Sequence, residues 1–349
     1  MNSKYSAKSS ALVFLLALLL PSVVTSIWVL IVKDIKTNVY YYYIALALSQ
    51  LTMFAIFLVF NKLKNVNGFK ECKLKFNLNF KQILIIITCG LVALFSFSPL
   101  VNLVEGILLK CGYNAGNTFD LKFNNFGIFS LAILILGLLP AICEELIFRG
   151  LIMQGYKEFS KKTIVFVTAF LFMIMHLNIE QTIYQFVLGM VLCCVVLITG
   201  SLLSSIILHF VNNVTILIIN YLYEINNVDT SIKPYNFSVW NVIYPILVAI
   251  IGCVAIYFLL ELLKRVSIKK TEFSNVTDET TEKCLVEQDI NSKNEDLKNN
   301  SAKDNKLQIS NSYWVVLPVV LGIIMWIINL VSSLWEVKWN LVKIYLKLI

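Results

Sequence analysis

Phe126-Gly-Ile-Phe-Ser-Leu-Ala-Ile-Leu-Ile-Leu-Gly-Leu-Leu-Pro140-Ala-Ile-Cys-Glu144-Glu145-Leu-Ile-Phe148-Arg149-Gly150 is the stretch from which the rest of the chain is read. Residues 126–143 carry no charge. A helix rises about 1.5 Å per residue, so such a run crosses most of the roughly 30 Å hydrocarbon core of a bilayer. Glu144, Glu145 and Arg149 then interrupt a run that Leu146, Ile147, Leu151 and Ile152 continue. Each charge near mid-membrane costs roughly 2.5–3.5 kcal/mol on insertion scales. On a helix Glu145 and Arg149 are one turn apart and can pair, whereas Glu144 is rotated by about 100° into a different groove. The spacing predicts that Glu145 and Arg149 brace each other and that Glu144 is free for chemistry. A bland alternative puts all three among the headgroups at the cytoplasmic end of the helix.

The remainder of the sequence has the same character. Of 349 residues, 58% are hydrophobic and 14% charged, against about 25% charged in an average soluble domain, and the mean hydropathy is +0.77. A soluble fold lacks the polar surface to cover this much apolar material. Long apolar runs predict spanning helices at 11–32, 40–60, 83–109, 126–148, 202–223, 239–263 and 313–335, with shorter segments at 164–177 and 183–198. The expected fold is an all-α polytopic transmembrane helix bundle of about eight to nine membrane segments. Residues 1–125 would supply N-terminal membrane helices, 126–225 a core and 226–270 a further helix. Residues 271–312 are polar and aperiodic and read as a disordered cytoplasmic linker, followed by a last span and tail at 313–349. The eight cysteines form no C-x-x-C pair and read as small hydrophobes.

The net charge of +8 is not a nucleic-acid signal, because the basic residues sit in loops. With the N-terminus cytoplasmic, the inner loops receive Lys4 and Lys8, the Lys62–Lys81 group, Arg149 with Lys157, Lys161 and Lys162, and the Lys264–Lys270 group; the outer loops receive far fewer. That bias fixes the expected orientation.

The chain has two histidines, and both lie in apolar segments: Phe172-Met-Ile-Met-His176 and His209-Phe-Val-Asn-Asn213. In each case the two named ends are one helical turn apart. A lone buried histidine is usually a satisfied structural residue; two of two in polar-poor helices point to function. If their helices run unbroken to the loop Lys157–Lys162, Glu144 and His176 each stand about 20 Å from it, at similar height on antiparallel neighbours. His209 reaches that layer if the Gly200-Ser201 loop is sunk into the membrane. A carboxylate and an imidazole sharing a water act as general base, and a second imidazole with an amide can donate to an oxyanion. Glu144, His176, His209 and Asn213 together suit peptide-bond hydrolysis.

These three motifs, Glu144-Glu145-Leu-Ile-Phe-Arg149, Phe172-Met-Ile-Met-His176 and His209-Phe-Val-Asn-Asn213, in this order on successive membrane helices, resemble the CPBP family. This is the group of CAAX prenyl endopeptidases and bacteriocin-processing or immunity proteins, also called Abi. The resemblance covers roughly Phe126 to Tyr223. It implies that Glu144 and His176 activate water, that His209 and Asn213 form the oxyanion site, and that Glu145, Arg149 and Phe172 support it. It leaves open whether Glu144, His176 and His209 hold a zinc ion; no H-E-x-x-H or H-x-x-E-H is present. No Asp lies in a predicted span and no G-x-S sits in a helix, which removes aspartyl and serine intramembrane chemistries. A non-catalytic scaffold or bacteriocin-immunity protein of the same fold is the rival reading, and a proton-coupled transporter a third; no internal repeat supports the latter. The expected partners are a membrane-associated peptide or protein substrate and the lipid bilayer, with no nucleic acid. The Lys, Asn and Ile content fits an AT-rich genome and thus a bacterial cell membrane.

Overall fold

The computed structural model describes residues 5–32, 39–113, 123, 125–228, 235–282, 314 and 316–331, without the side chains of residue 39 and residues 269–282. The described residues are helical and contain no strand. We label the helices α1 (Ala7–Ile31), α2 (Val39–Leu63), α3 (Phe80–Lys110), α4 (Phe126–Gly155), α5 (Lys161–Met175), α6 (Thr182–Thr199), α7 (Leu202–Ile225), α8 (Val239–Glu282) and α9 (Val316–Val331). Polar side chains set several starts: Ser6 and Ser9 cap α1 reciprocally, Asn79 and Gln82 do the same for α3, and Asn125 and Ser160 cap α4 and α5.

Seven of these helices, α1–α4 and α6–α8, are long and apolar enough to cross a membrane. The chain is a polytopic membrane bundle, and α5 and α9 are the short members, with 15 residues in α5. The segment expected to be short at 183–198 gains a residue at each end and reaches spanning length. Helix α8, expected to end near Leu263, continues to Glu282, so the first residues of the polar stretch at 271–312 are helical. The remainder of that stretch, and residues 332–349 of the last span and tail, lie outside the described residues.

The bundle has an apolar core that encloses a small group of buried polar side chains, and its outside is apolar as well. Large side chains such as Leu30, Phe95, Trp240 and Ile251 are exposed, while Glu145 and Arg149 are wholly buried. Such an apolar exterior is expected where the surrounding solvent is hydrocarbon. Helix α4 is central, packed against α1, α2, α5 and α7, while α8 runs along α3. It is not a regular α-helix: π-helical turns at Ile133–Leu138 and Leu146–Ile152 flank an α-helical segment, Leu139–Glu145. Pro140 lacks an N–H for the carbonyl four residues earlier and its ring crowds that carbonyl, which accounts for the first widening. Such π turns recur at functional sites.

Candidate active site

Glu144 and Glu145 end the α-helical segment of α4, and the following π turn carries Arg149. Arg149 Nη1 donates to Glu145 Oε1 at 2.7 Å with both side chains fully buried. Arg149 Nη2 donates to the Gly189 carbonyl on α6 at 3.1 Å, and its guanidinium lies 4.5 Å from the Phe172 ring centre. The pairing expected from the spacing is therefore present. It is also tied to α5 through the Phe172 ring and to α6 through the Gly189 carbonyl. Gly150 lets the connection after α2 approach: a Cβ there would stand 2.8 Å from Cys72 Sγ.

Glu145 has a second task that spacing did not foretell. The same Oε1 accepts from His209 Nδ1 at 2.9 Å. A carboxylate only accepts, so His209 carries a proton on Nδ1 and turns Nε2 toward Glu144, whose Oε2 is 4.0 Å away. His209 reaches this layer because α7 starts beneath a docked segment. Ser201 is buried, its hydroxyl donates to the Lys75 carbonyl at 2.7 Å, and Leu202 N–H donates to the Lys73 carbonyl at 3.0 Å. Residues 73–75 thus cover the turn on whose depth the placement of His209 depends.

His176 is the C-cap of α5, and its Nδ1 meets the Phe172 carbonyl at 2.8 Å. A carbonyl only accepts, so in the neutral ring Nε2 holds the lone pair. The Phe172 ring centre lies 4.7 Å from the His176 ring and 5.9 Å from the His209 ring. Phe172 is thereby the spacer between the two imidazoles.

Two partners of the site were not found in the sequence. Gln50, in the middle of α2, donates from Nε2 to Glu144 Oε1 at 3.0 Å. Glu144 Oε2 is buried without a hydrogen bond and is left as the free oxygen. The signal was a single carboxamide in the apolar run Ile44-Ala-Leu-Ala-Leu-Ser-Gln50-Leu, which charge-based scanning passes over. The second partner is Asn212. Tyr184 donates its hydroxyl to Asn212 Oδ1, Asn212 Nδ2 donates to Asn213 Oδ1 at 3.3 Å, and Asn213 Nδ2 donates to the Leu136 carbonyl at 3.2 Å. Leu136 lies four residues before Pro140, so this chain of donors ends on the carbonyl that the proline leaves without its usual partner. One Asn213 amide hydrogen is committed there and the other is available.

A cavity of about 490 Å³ begins at Asn212, Asn213 and Tyr184 and extends between α3, α6 and α7. The donor set bears on a metal. Each histidine is held through Nδ1, which leaves Nε2 as the nitrogen open to a ligand, and among the described residues no group of three His, Cys, Asp or Glu side chains is placed to hold an ion. The Glu144, His176 and His209 set, left open by the sequence as a zinc site, is not among such groups.

No curated protein and no solved structure matches the chain. Residues 126–215 match the family described as Rce1-like, type II CAAX prenyl endopeptidase. The matched residues take in α4 to the middle of α7, the helices bearing the three motifs, and the chain therefore carries an Rce1-like segment at the centre of a membrane helix bundle.

Proposed function

We propose that the protein is an intramembrane endopeptidase in which Glu144 and His176 activate water while His209 and Asn213 stabilise the oxyanion. The observation that carries this reading is the pair of unlike carboxylates. Glu145 is bound through Oε1 to two basic side chains, Arg149 and His209, whereas Glu144 receives only the neutral Gln50 amide on Oε1 and holds its unbonded Oε2 4.0 Å from His209 Nε2. Water held by Glu144 Oε2 and His176 Nε2 attacks the carbonyl carbon of the scissile peptide and gives its proton to Glu144. The carbonyl oxygen becomes an oxyanion, accepting from Asn213 Nδ2 and from Nε2–H of a doubly protonated His209 whose other proton is held by Glu145. Collapse breaks the C–N bond, and the proton on Glu144 passes to the leaving nitrogen, giving a carboxylic acid and an amine. General acid–base help is worth about 10²–10⁴-fold and one oxyanion donor about 10²–10³-fold. The substrate is a membrane-associated peptide or protein, and the basic loops favour a cytoplasmic N-terminus.

The test is cleavage of membrane peptides by purified protein in liposomes. Glu144→Gln keeps the shape and a hydrogen bond to Gln50 but removes the base, so cleavage is lost while the protein stays folded. Unchanged function in Glu144→Gln and His176→Ala would make the protein a binding scaffold. Activity removed by a chelator and restored by zinc would turn the same side chains into metal ligands.

A further inference from the structure

The 490 Å³ cavity has a lining that its surroundings do not require. Six carboxamides face it: Asn102, Gln181, Gln185, Asn212, Asn213 and Asn220. Among the described residues its wall contains no Lys, Arg, Asp or Glu. Leu94, Tyr184 and Asn212 are buried at the inner end, and Asn102, Gln181 and Asn220 are exposed at the mouth. From Asn213 to Tyr223 along α7 the cavity is about 15 Å long at 1.5 Å per residue. An extended chain rises about 3.3 Å per residue, so that length takes roughly four to five residues.

A peptide bond inside a helix is shielded, and a helix in hydrocarbon has no other partners for its backbone groups. To be attacked, a membrane-embedded substrate must unwind, and each freed N–H and C=O then needs a new partner. A carboxamide donates and accepts at once, as a peptide group does. We propose, resting on the peptidase reading above, that this cavity receives an unwound, uncharged stretch of a membrane-inserted helix and hydrogen-bonds its backbone up to Asn213. The specificity that follows is for a helix-breaking, neutral segment flanking the cut. A charged side chain there would be stripped of water with no counter-charge in the wall, and a chain end would bring a free carboxylate to a site without a cation.

The test is photocrosslinking with the full chain in phosphatidylcholine liposomes. Ile219, in the cavity wall, is replaced by benzoylphenylalanine in the Glu144→Gln background. The first probe is a synthetic Leu/Ala helix of about 20 residues with a central Asn-Ser-Gly-Ser. The second carries Lys-Ser-Gly-Asp at its centre, and the third is a water-soluble peptide ending three residues after a prenylated cysteine. Crosslinking is expected with the first and roughly tenfold or more weaker with the other two, given the cost of an unpaired charge in the membrane. Asn102→Leu/Asn220→Leu should remove the preference. Equal crosslinking of the charged or the soluble probe, or none of the first, overturns the proposal. Wild-type cleavage of the same probes separates the two readings. A probe that is crosslinked and never cut counts against the peptidase, and one that is cut without reaching position 219 counts against the cavity.

Discussion

Glu145 holds two partners with one oxygen, and that makes its removal informative. Its side chain and that of Arg149 are fully buried, 2.7 Å apart, and His209 Nδ1 is 2.9 Å from the same atom. Glu145→Leu leaves a guanidinium buried with the Gly189 carbonyl as its remaining hydrogen-bond acceptor. Removing one member of a buried pair costs about 3–5 kcal/mol, or roughly 150- to 4,000-fold in the folded-to-unfolded ratio at 1.4 kcal/mol per tenfold. The expected outcome is a marked fall in folded protein by thermal unfolding and by yield after detergent extraction. Glu145→Leu/Arg149→Met removes both charges, and replacing a buried pair with apolar side chains is often neutral, so the double variant should recover most of the stability. It should not recover cleavage, because His209 has lost the acceptor that points Nε2 at Glu144. Abundance of Glu145→Leu equal to wild type would refute the bracing argument, and full activity of the stable double variant would refute the orienting one.

Gln50→Leu withdraws the donor from Glu144 Oε1 and leaves both carboxylate oxygens buried without a partner; an unsatisfied buried group costs about 1–3 kcal/mol, and kcat is expected to fall about tenfold or more with KM little changed. Asn329 on α9 donates to the Leu177 carbonyl at 2.5 Å, and Leu177 follows His176 with a positive φ of 47°. Asn329→Leu should therefore quicken amide hydrogen exchange in the turn after His176 and lower activity, and unaltered exchange would separate α9 from the site. Burial and then the neighbouring Glu71 push the Cys72 thiol up to about 12. Since the thiolate is the reactive form, roughly one molecule in ten thousand presents it at pH 8, and a maleimide should label exposed Cys111 in the folded protein while Cys72 reacts only after unfolding.

The amino-acid sequence by itself determined that the chain is a membrane helix bundle, because the length and apolarity of runs such as 126–143 leave no other way to satisfy backbone groups. It also determined the Glu145–Arg149 pair, because contacts one turn apart are a local property of a helix. A similar height for Glu144 and His176 could be estimated from depth, since axial rise is local too, whereas His209 could not be placed that way. Tertiary structure alone decided how the rotations about each helix axis were set. It assigned Glu145 to His209 as well as to Arg149, brought Gln50 onto Glu144 from a helix 94 residues earlier in sequence, and joined Tyr184, Asn212 and Asn213 to the carbonyl freed by Pro140. These are contacts between elements, fixed by which helices pack around α4, and a neutral carboxamide in an apolar run gives no sign of the partner it will meet. The covering of the Gly200–Leu202 turn by residues 73–75 is of the same kind: a loop's depth depends on what docks over it, which its own residues do not encode.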